Sequence, residues 1–364
     1  MINLLIAIVI ILAILVLAKV VRVFELSADL KGEDHSKVTA SDNKTQATML
    51  LVGIAAYLSF VVYAIVTWGE LTLPVSASVH GESTDKLMNI TWMVIGPAFF
   101  LVHILLLVFT YKYYYRKERT ATFFAHSTKL EMIWTVIPTM VLTTLIVYGL
   151  SIWHEITSPA PDDSIEIELY AKQFDWSARY SGEDNVLGKS GYRLITSENP
   201  LGVSMEDGAS ADDKIVRGEM HLPVGKSVVF KFHSRDVLHS AYMPHFRAQM
   251  NCVPGMTTQL HMVPKTTTKE MREITGNDEF NYILLCNKIC GAAHYNMQMD
   301  IIVESQEDYD AWLADKKTLG ETFAAAEDET PMVVAEVVED HGGESHEGEE
   351  HNEDEHEPAQ ADPH

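Results

Sequence analysis

Two thiols, an imidazole and a thioether fall within twelve residues: Cys286, Cys290, His294 and Met297, spaced C-x3-C-x3-H-x2-M. Thiolate, imidazole and thioether together form a soft donor set, which selects copper over zinc, calcium or magnesium. A further histidine, His239 in Asp236-Val-Leu-His239-Ser, is a remote donor that the fold would have to bring to this loop. A mononuclear blue-copper site uses one cysteine, two histidines and a weak axial methionine. Here there are two cysteines four residues apart. Two bridging thiolates can hold two copper ions close together and share one electron between them. Such a centre changes geometry little on oxidation, which suits rapid outer-sphere electron transfer. The competing reading of Cys286 and Cys290 is a short-loop disulfide. Cys252, alone in Gln249-Met-Asn-Cys-Val-Pro-Gly, reads as a small buried residue.

Positioning this loop requires a folded domain, and the chain places a membrane before it. Four apolar stretches, 2–21, 47–68, 92–113 and 132–153, reach the ~20 residues that a helix needs to cross a bilayer. Met1-Ile-Asn lacks the positive charge that opens a secretory signal, so the first stretch reads as a retained helix. The connection from Lys19 to Lys44 carries five basic residues and the one after Tyr113 carries Arg116, Lys117, Arg119 and Lys129, whereas the intervening one holds only Lys86. Basic loops stay on the cytoplasmic side. Both termini and everything beyond Trp153 are therefore expected outside. Trp68, Trp92, Tyr111, Tyr113, Tyr114, Tyr115 and Trp153 mark the helix ends as interfacial aromatics. His103, an ionisable group at membrane depth, is a functional candidate; its bland reading is a histidine hydrogen-bonded at a helix–helix contact.

From Asp162 onward short alternating runs replace the long apolar ones. Ser164–Tyr170, Lys226–His233, Thr257–Val263, Asn281–Leu285 and Met297–Val303 each alternate as half-buried strands do. Pro223-Val-Gly and Pro254-Gly punctuate them. Many short strands with such turns indicate a sandwich or small barrel. Residues 180–213, rich in Gly, Ser, Glu and Asp, read as a long insertion, and 306–319 as a closing surface helix. The expected domains are thus 1–72 (helix pair), 89–155 (helical hairpin), 162–320 (β domain) and 321–364 (disordered tail). The formal charge is -24, and the 15 Asp and Glu from Glu327 to the end, with no Lys or Arg, carry -15 of it. Such a tail is self-repelling and solvated. Its His341, His346, His351, His356 and His364 could collect copper or zinc weakly. No basic stripe exists to neutralise phosphates, which excludes nucleic acid as a partner. No C-x2-C-H occurs, so no haem is covalently attached.

The chain resembles subunit II of haem–copper cytochrome c oxidases. The residues that carry the resemblance run roughly from Asn89 to Ser305. They include His126-Ser-Thr-Lys-Leu-Glu131-Met-Ile-Trp134-Thr-Val-Ile-Pro138, Asp236-Val-Leu-His239-Ser, Phe246-Arg-Ala-Gln-Met, Val253-Pro-Gly255 and Cys286-x3-Cys290-Gly-Ala-x-His294-x2-Met297. The resemblance implies a cupredoxin-like CuA domain behind a membrane anchor, in a bacterial inner membrane with the copper domain on the periplasmic side. It implies that Cys286 and Cys290 bridge two coppers, with His239 and Met297 completing one. His294 and the backbone carbonyl of Lys288 would complete the other. Glu131 would lie near the mouth of a proton pathway into subunit I; its bland reading is a first-turn carboxylate favoured by the helix dipole. The implied partners are oxidase subunit I, which carries the haem, other oxidase subunits, cytochrome c and membrane lipid. The implied activity is oxidation of cytochrome c and reduction of oxygen to water, coupled to proton translocation.

Three departures qualify that pattern. Lys288 stands where the family usually has a glutamate that helps bind magnesium, and an ammonium offers no lone pair to a cation. Phe174, in Gln173-Phe-Asp-Trp176, occupies the position of the usual electron-accepting tryptophan; Phe174 and Trp176 are the candidates for electron entry, although Trp176 is also expected to pack in the barrel. Two additional helices precede the family's two and are expected to bind further subunits. Acidic Asp175, Glu183, Asp184 and Asp236 are candidates for steering a basic donor, with Asp236 a possible brace for the His239 loop. Competing readings are the copper domain of nitrous oxide reductase, a copper-free quinol oxidase subunit II and a membrane-anchored copper-storage protein. The first needs a propeller domain that this length cannot contain; the second has no use for the five donors. The third would not need the anchor motif around Trp134 and Pro138.

Overall fold

A computed structural model describes residues 2–30, 32, 39–197 and 199–329, with side-chain detail from Ile8 to Ala325. Four helices come first: α1 (Ile2–Leu30), α2 (Ala40–Trp68), α3 (Val79–Lys112) and α4 (Thr128–Thr157). Thr39 starts α2 with a capping box to Asp42, and the Ser78 hydroxyl caps α3 by accepting from the Gly81 N–H. Four membrane spans were expected. Among the described residues three helices are long and apolar enough: Ala40–Leu71, Val79–Lys112 and Thr128–Thr157. The fourth expected span, in α1, is not among these three; its apolar run is interrupted by Lys19 and Arg22. His103, on α3, turns its ring toward α2. Its Nδ1 meets the Phe99 carbonyl oxygen at 2.8 Å, and its ring packs on Phe99 and near Tyr57.

The β domain is a two-sheet sandwich. One sheet has the order β3-β2-β1-β5-β8, from β1 (Ile165–Lys172), β2 (Asp175–Tyr180), β3 (Lys214–Arg217), β5 (Val228–Ser234) and β8 (Thr258–Met262). The other has the order β4-β10-β9-β6-β7, from β4 (Glu219–Pro223), β6 (His239–Met243), β7 (Ala248–Cys252), β9 (Tyr282–Cys286) and β10 (Gln298–Glu304). The β1–β5 and β4–β10 pairs are parallel and the rest antiparallel. Alternate residues of both sheets, among them Ile167, Leu169, Phe230, Phe232, Leu284 and Ile301, are fully buried between them. Burying each such side chain contributes about 1.5–3 kcal/mol.

The insertion begins after Tyr180, which closes β2, and is tied down by charge. Arg179, fully buried, donates to Glu168 and to the Asp213 carboxylate (2.8 Å) and Gly188 carbonyl (2.8 Å). An unpaired guanidinium could not remain there. Two short helices replace the single closing helix expected over 306–319: α6 (Gln306–Ala314) and α7 (Leu319–Glu329). Thr318 and Glu321 exchange capping hydrogen bonds at the start of α7. The three alanines Ala324, Ala325 and Ala326 favour helix, so residues expected in the disordered tail are helical to Glu329. The tail beyond, with its histidines, lies outside the described residues. A further helix, α5 (Thr268–Thr275), crosses between β8 and β9, with a Thr267–Glu270 capping box and Gly276 closing it at φ 64.

Candidate metal centre

β9 ends on Cys286 and β10 begins one residue after Met297, so the donor loop is the connection between two paired strands. β6 lies on the other side of β9 and starts at His239. That strand order brings the remote histidine to the loop. His239 Nδ1 lies 3.7 Å from Cys286 Sγ, and the two cysteine sulfurs are 3.9 Å apart. Cys290 Sγ lies 3.6 Å from His294 Nδ1 and 3.9 Å from Met297 Sδ. The Lys288 carbonyl oxygen is 3.2 Å from Cys286 Sγ, while the Lys288 side chain is exposed. All six donor groups therefore converge. Among the described residues, His239, Cys286 and Cys290 form the one group of three such side chains close enough to share a metal.

These spacings fit a metal better than a disulfide. All three cysteines are free, and a bridge needs sulfurs ~2 Å apart. A tetrahedral ion with metal–sulfur bonds of ~2.3 Å would hold its sulfurs about 3.8 Å apart. Burial pushes the Cys290 thiol up to about 11, and the adjacent Cys286 sulfur adds to it. Two thiolates this close need a cation between them, and a soft one matches the thioether and imidazoles. Cys252 is fully buried at the β7 position opposite His239, and burial pushes its thiol up to about 12.

A second layer fixes the donors. His239 Nε2 donates to Asp236 Oδ1 at 2.8 Å, which leaves Nδ1 as the lone-pair nitrogen facing Cys286. Burial alone would raise the Asp236 carboxyl. The Gln173 N–H at 2.7 Å, His239 and the Val237 N–H outweigh it and hold it below the usual carboxylate range. Gln173 also donates from Nε2 to the Cys290 carbonyl oxygen at 2.5 Å. This double link was not read from the sequence; its one signal was the position of Gln173 beside Phe174. Phe174, in the turn between β1 and β2, packs against the donor loop and is about one-third exposed (36%). Its ring stands so close to Gly291, at φ 146, that a Cβ there would lie 2.8 Å from Phe174 Cζ. Trp176 is fully buried, edge-on to the His239 ring, with Nε1 3.5 Å from the Met297 carbonyl oxygen.

The remaining candidates lie elsewhere. Glu131 is exposed near the start of α4, where its carboxylate accepts the Ser127 N–H at 3.1 Å. Of the acidic residues expected near the site, Asp175 is next to Phe174 and Asp236 is committed to His239 and Gln173. Glu183 and Asp184 are not near it. β2 runs away from the donor loop, and their N–H groups donate to Asp212 beyond its far end.

A helical membrane anchor carrying a sandwich with a soft-donor loop between two of its strands defines a membrane-bound cupredoxin-like protein. Two family models match it: the transmembrane domain of cytochrome c oxidase subunit II over residues 66–152 and its periplasmic domain over 165–306. The chain belongs to the cytochrome c oxidase subunit II family and is thus a respiratory oxidase subunit with a membrane and a periplasmic part. The match to the membrane domain starts in the last turns of α2, earlier than the Asn89 expected from the motifs. The chain is 36% identical over 236 residues to the alternative cytochrome c oxidase subunit 2 of Bradyrhizobium diazoefficiens, covering 64% of this chain and 80% of that one. It is 26% identical over 265 residues to cytochrome c oxidase subunit 2 of Thermostichus vulcanus, covering 66% and 77%. The solved periplasmic domain of a Bradyrhizobium japonicum oxidase subunit II aligns at 22% identity and TM-score 0.29, over 43% of this chain and 95% of that one.

Proposed function

We propose that this subunit accepts electrons from cytochrome c at a binuclear CuA centre and passes them to the haem of subunit I. There oxygen is reduced to water with proton translocation. Supporting this most directly is the convergence of two cysteine sulfurs 3.9 Å apart with a nitrogen donor 3.6–3.7 Å from each. Bound copper would supply a one-electron carrier of low reorganisation energy. Cys286 and Cys290 would bridge; His239 with Met297, and His294 with the Lys288 carbonyl, would complete the two positions. Asp236 holds the His239 tautomer, and Gln173 ties that carboxylate to the Cys290 backbone. Phe174, partly exposed against Gly291, is the surface ring on which a donor would dock, with Asp175 beside it to attract a basic partner. Trp176 supports the loop from below.

The chain would sit in a bacterial inner membrane with the copper domain and both termini on the periplasmic side. α1 would be a further membrane helix, with α2 contacting other oxidase subunits and lipid. Glu131 would serve a proton pathway in subunit I, in addition to capping its own helix. A cation at the subunit interface would draw nothing from the Lys288 side chain. The test is Cys290→Ser in the assembled oxidase. The barrel folds, while oxidation of reduced cytochrome c is abolished; undiminished oxidation refutes the assignment.

A further inference from the structure

The segment before α3 is bound to the β domain far more tightly than a linker requires. The Ala77 N–H donates to the His245 carbonyl oxygen (2.7 Å), and the Lys265 N–H donates to the Ala77 carbonyl oxygen (2.9 Å). The Val79 N–H donates to the Val263 carbonyl oxygen (3.0 Å), and Ser78 Oγ to that of Phe246 (2.6 Å). Ala77 is fully buried and belongs to the barrel core. Residues at the head of a membrane helix therefore behave as an added edge of the sandwich.

Arg247 locks this arrangement. It follows β6 after one short turn and adopts φ 54, a left-handed conformation that is uncommon for a side chain of this size. Its guanidinium, with only 8% of the side chain exposed, makes a two-pronged contact with Asp85 of α3 at 2.7 and 3.0 Å. The same group donates to the Pro244 carbonyl oxygen at 2.7 Å and the Pro74 carbonyl oxygen at 2.6 Å. Gly81 lets the helix approach: a Cβ there would stand 2.3 Å from Ser76 Oγ and 3.2 Å from Arg247 Cγ. Lys265 and Glu82 form a second ion pair across the joint.

β6 begins with His239 and leads into Arg247. A metal donor and the clamp on α3 therefore sit at the two ends of one five-residue strand and its turn. Outer-sphere electron transfer falls steeply with distance, and a misplacement of about 1 Å can cost on the order of 10²-fold in a reaction that depends on geometry. We propose that Arg247 and Asp85 are positioning residues for electron delivery. They fix the copper end of the barrel relative to α3 and hence its distance from the acceptor in the membrane partner. This inference rests on the copper electron-transfer reading, and its test separates the two.

The assembled oxidase is prepared with Arg247→Met, Arg247→Lys, Asp85→Asn and Asp85→Glu. The unaltered complex is examined first by electron paramagnetic resonance. If it lacks the seven-line pattern of two equivalent coppers, the copper reading itself fails and the clamp has no such reaction to position. With that signal present, Arg247→Met and Asp85→Asn keep it and keep the KM for reduced cytochrome c. Their kcat, and the rate of copper-to-haem transfer after a light pulse, fall by roughly tenfold. Arg247→Lys behaves like the methionine variant, because one ammonium cannot replace a fork that serves a carboxylate and two carbonyls. Asp85→Glu, which retains a carboxylate, recovers most of the rate. Three results overturn the proposal: transfer rates unchanged in Arg247→Met, a raised KM at unchanged kcat, or loss of the copper signal together with activity even in Asp85→Asn. The last would assign the pair to folding alone.

Discussion

At His239 the two ring nitrogens have separate tasks: one meets Asp236 at 2.8 Å and the other faces Cys286. Removing the carboxylate frees the ring to rotate and removes the preference for the useful tautomer. Partners of this kind are typically worth about 10–100-fold in metal affinity. Asp236→Asn is expected to weaken copper binding by that factor, read by competition with a chelator of known affinity; equal affinities would rule out the brace. Gly291 offers a second test. A Cβ there meets Phe174 and Gln173 at 2.8–2.9 Å, so Gly291→Ala must move the ring. The expected result is slower reduction by cytochrome c with a nearly unchanged copper spectrum, seen in stopped-flow mixing. The candidate donors that the strands bring together were legible because soft ligands at close spacing are rare in a sequence. The Gln173 link was not, since a glutamine gives no signal until its backbone neighbours are known.

At the scale of elements, strands with one polar and one buried face were readable: the runs assigned to β1, β5, β8, β9 and β10 all form strands. β6 was missed because burial on both faces erases its alternation, whereas β7 does alternate, with Gln249 and Asn251 facing out, and was passed over. β3 has only four residues, and β4 is buried over its last four, so neither shows a period. The buried charges of β1 and β2 carry a pH dependence. Burial pushes the Asp213 carboxyl up to about 6 despite the Arg179 guanidinium. The folded chain thus holds that proton more tightly than the unfolded one. The stability this contributes is complete below the ordinary value of about 3.9 and is lost as pH rises through 6. Burial also opposes the charge on Glu168, but His233 and Arg179 outweigh it and hold its carboxyl low. Its contribution is present above the ordinary carboxylate range and is lost as pH falls through the lowered value. Asp213→Asn should therefore destabilise the barrel more at pH 5 than at pH 7.5, by on the order of 1 kcal/mol. Thermal unfolding at the two values checks this, and a cost that grows with pH would reverse the assignment.

For the molecule as a whole, the joint at Ala77, Asp85 and Arg247 was invisible in the sequence. Arg247 lies 162 residues from Asp85, and none of the three is unusual in type. Hydropathy left residues 73–88 as a plain connection between the two expected helix units. The chain instead passes from core residue to membrane helix within a few positions. On the proposed reading the anchor becomes part of what holds the donor loop in place, and loop, brace, sandwich and helix would form one path from electron donor to membrane. The central claim is that this path begins at two coppers. The full-length subunit, prepared without its haem-bearing partner and loaded with copper, should bind two copper ions and give a seven-line electron paramagnetic resonance pattern. A four-line signal from a single copper, or no tightly held copper, would contradict it.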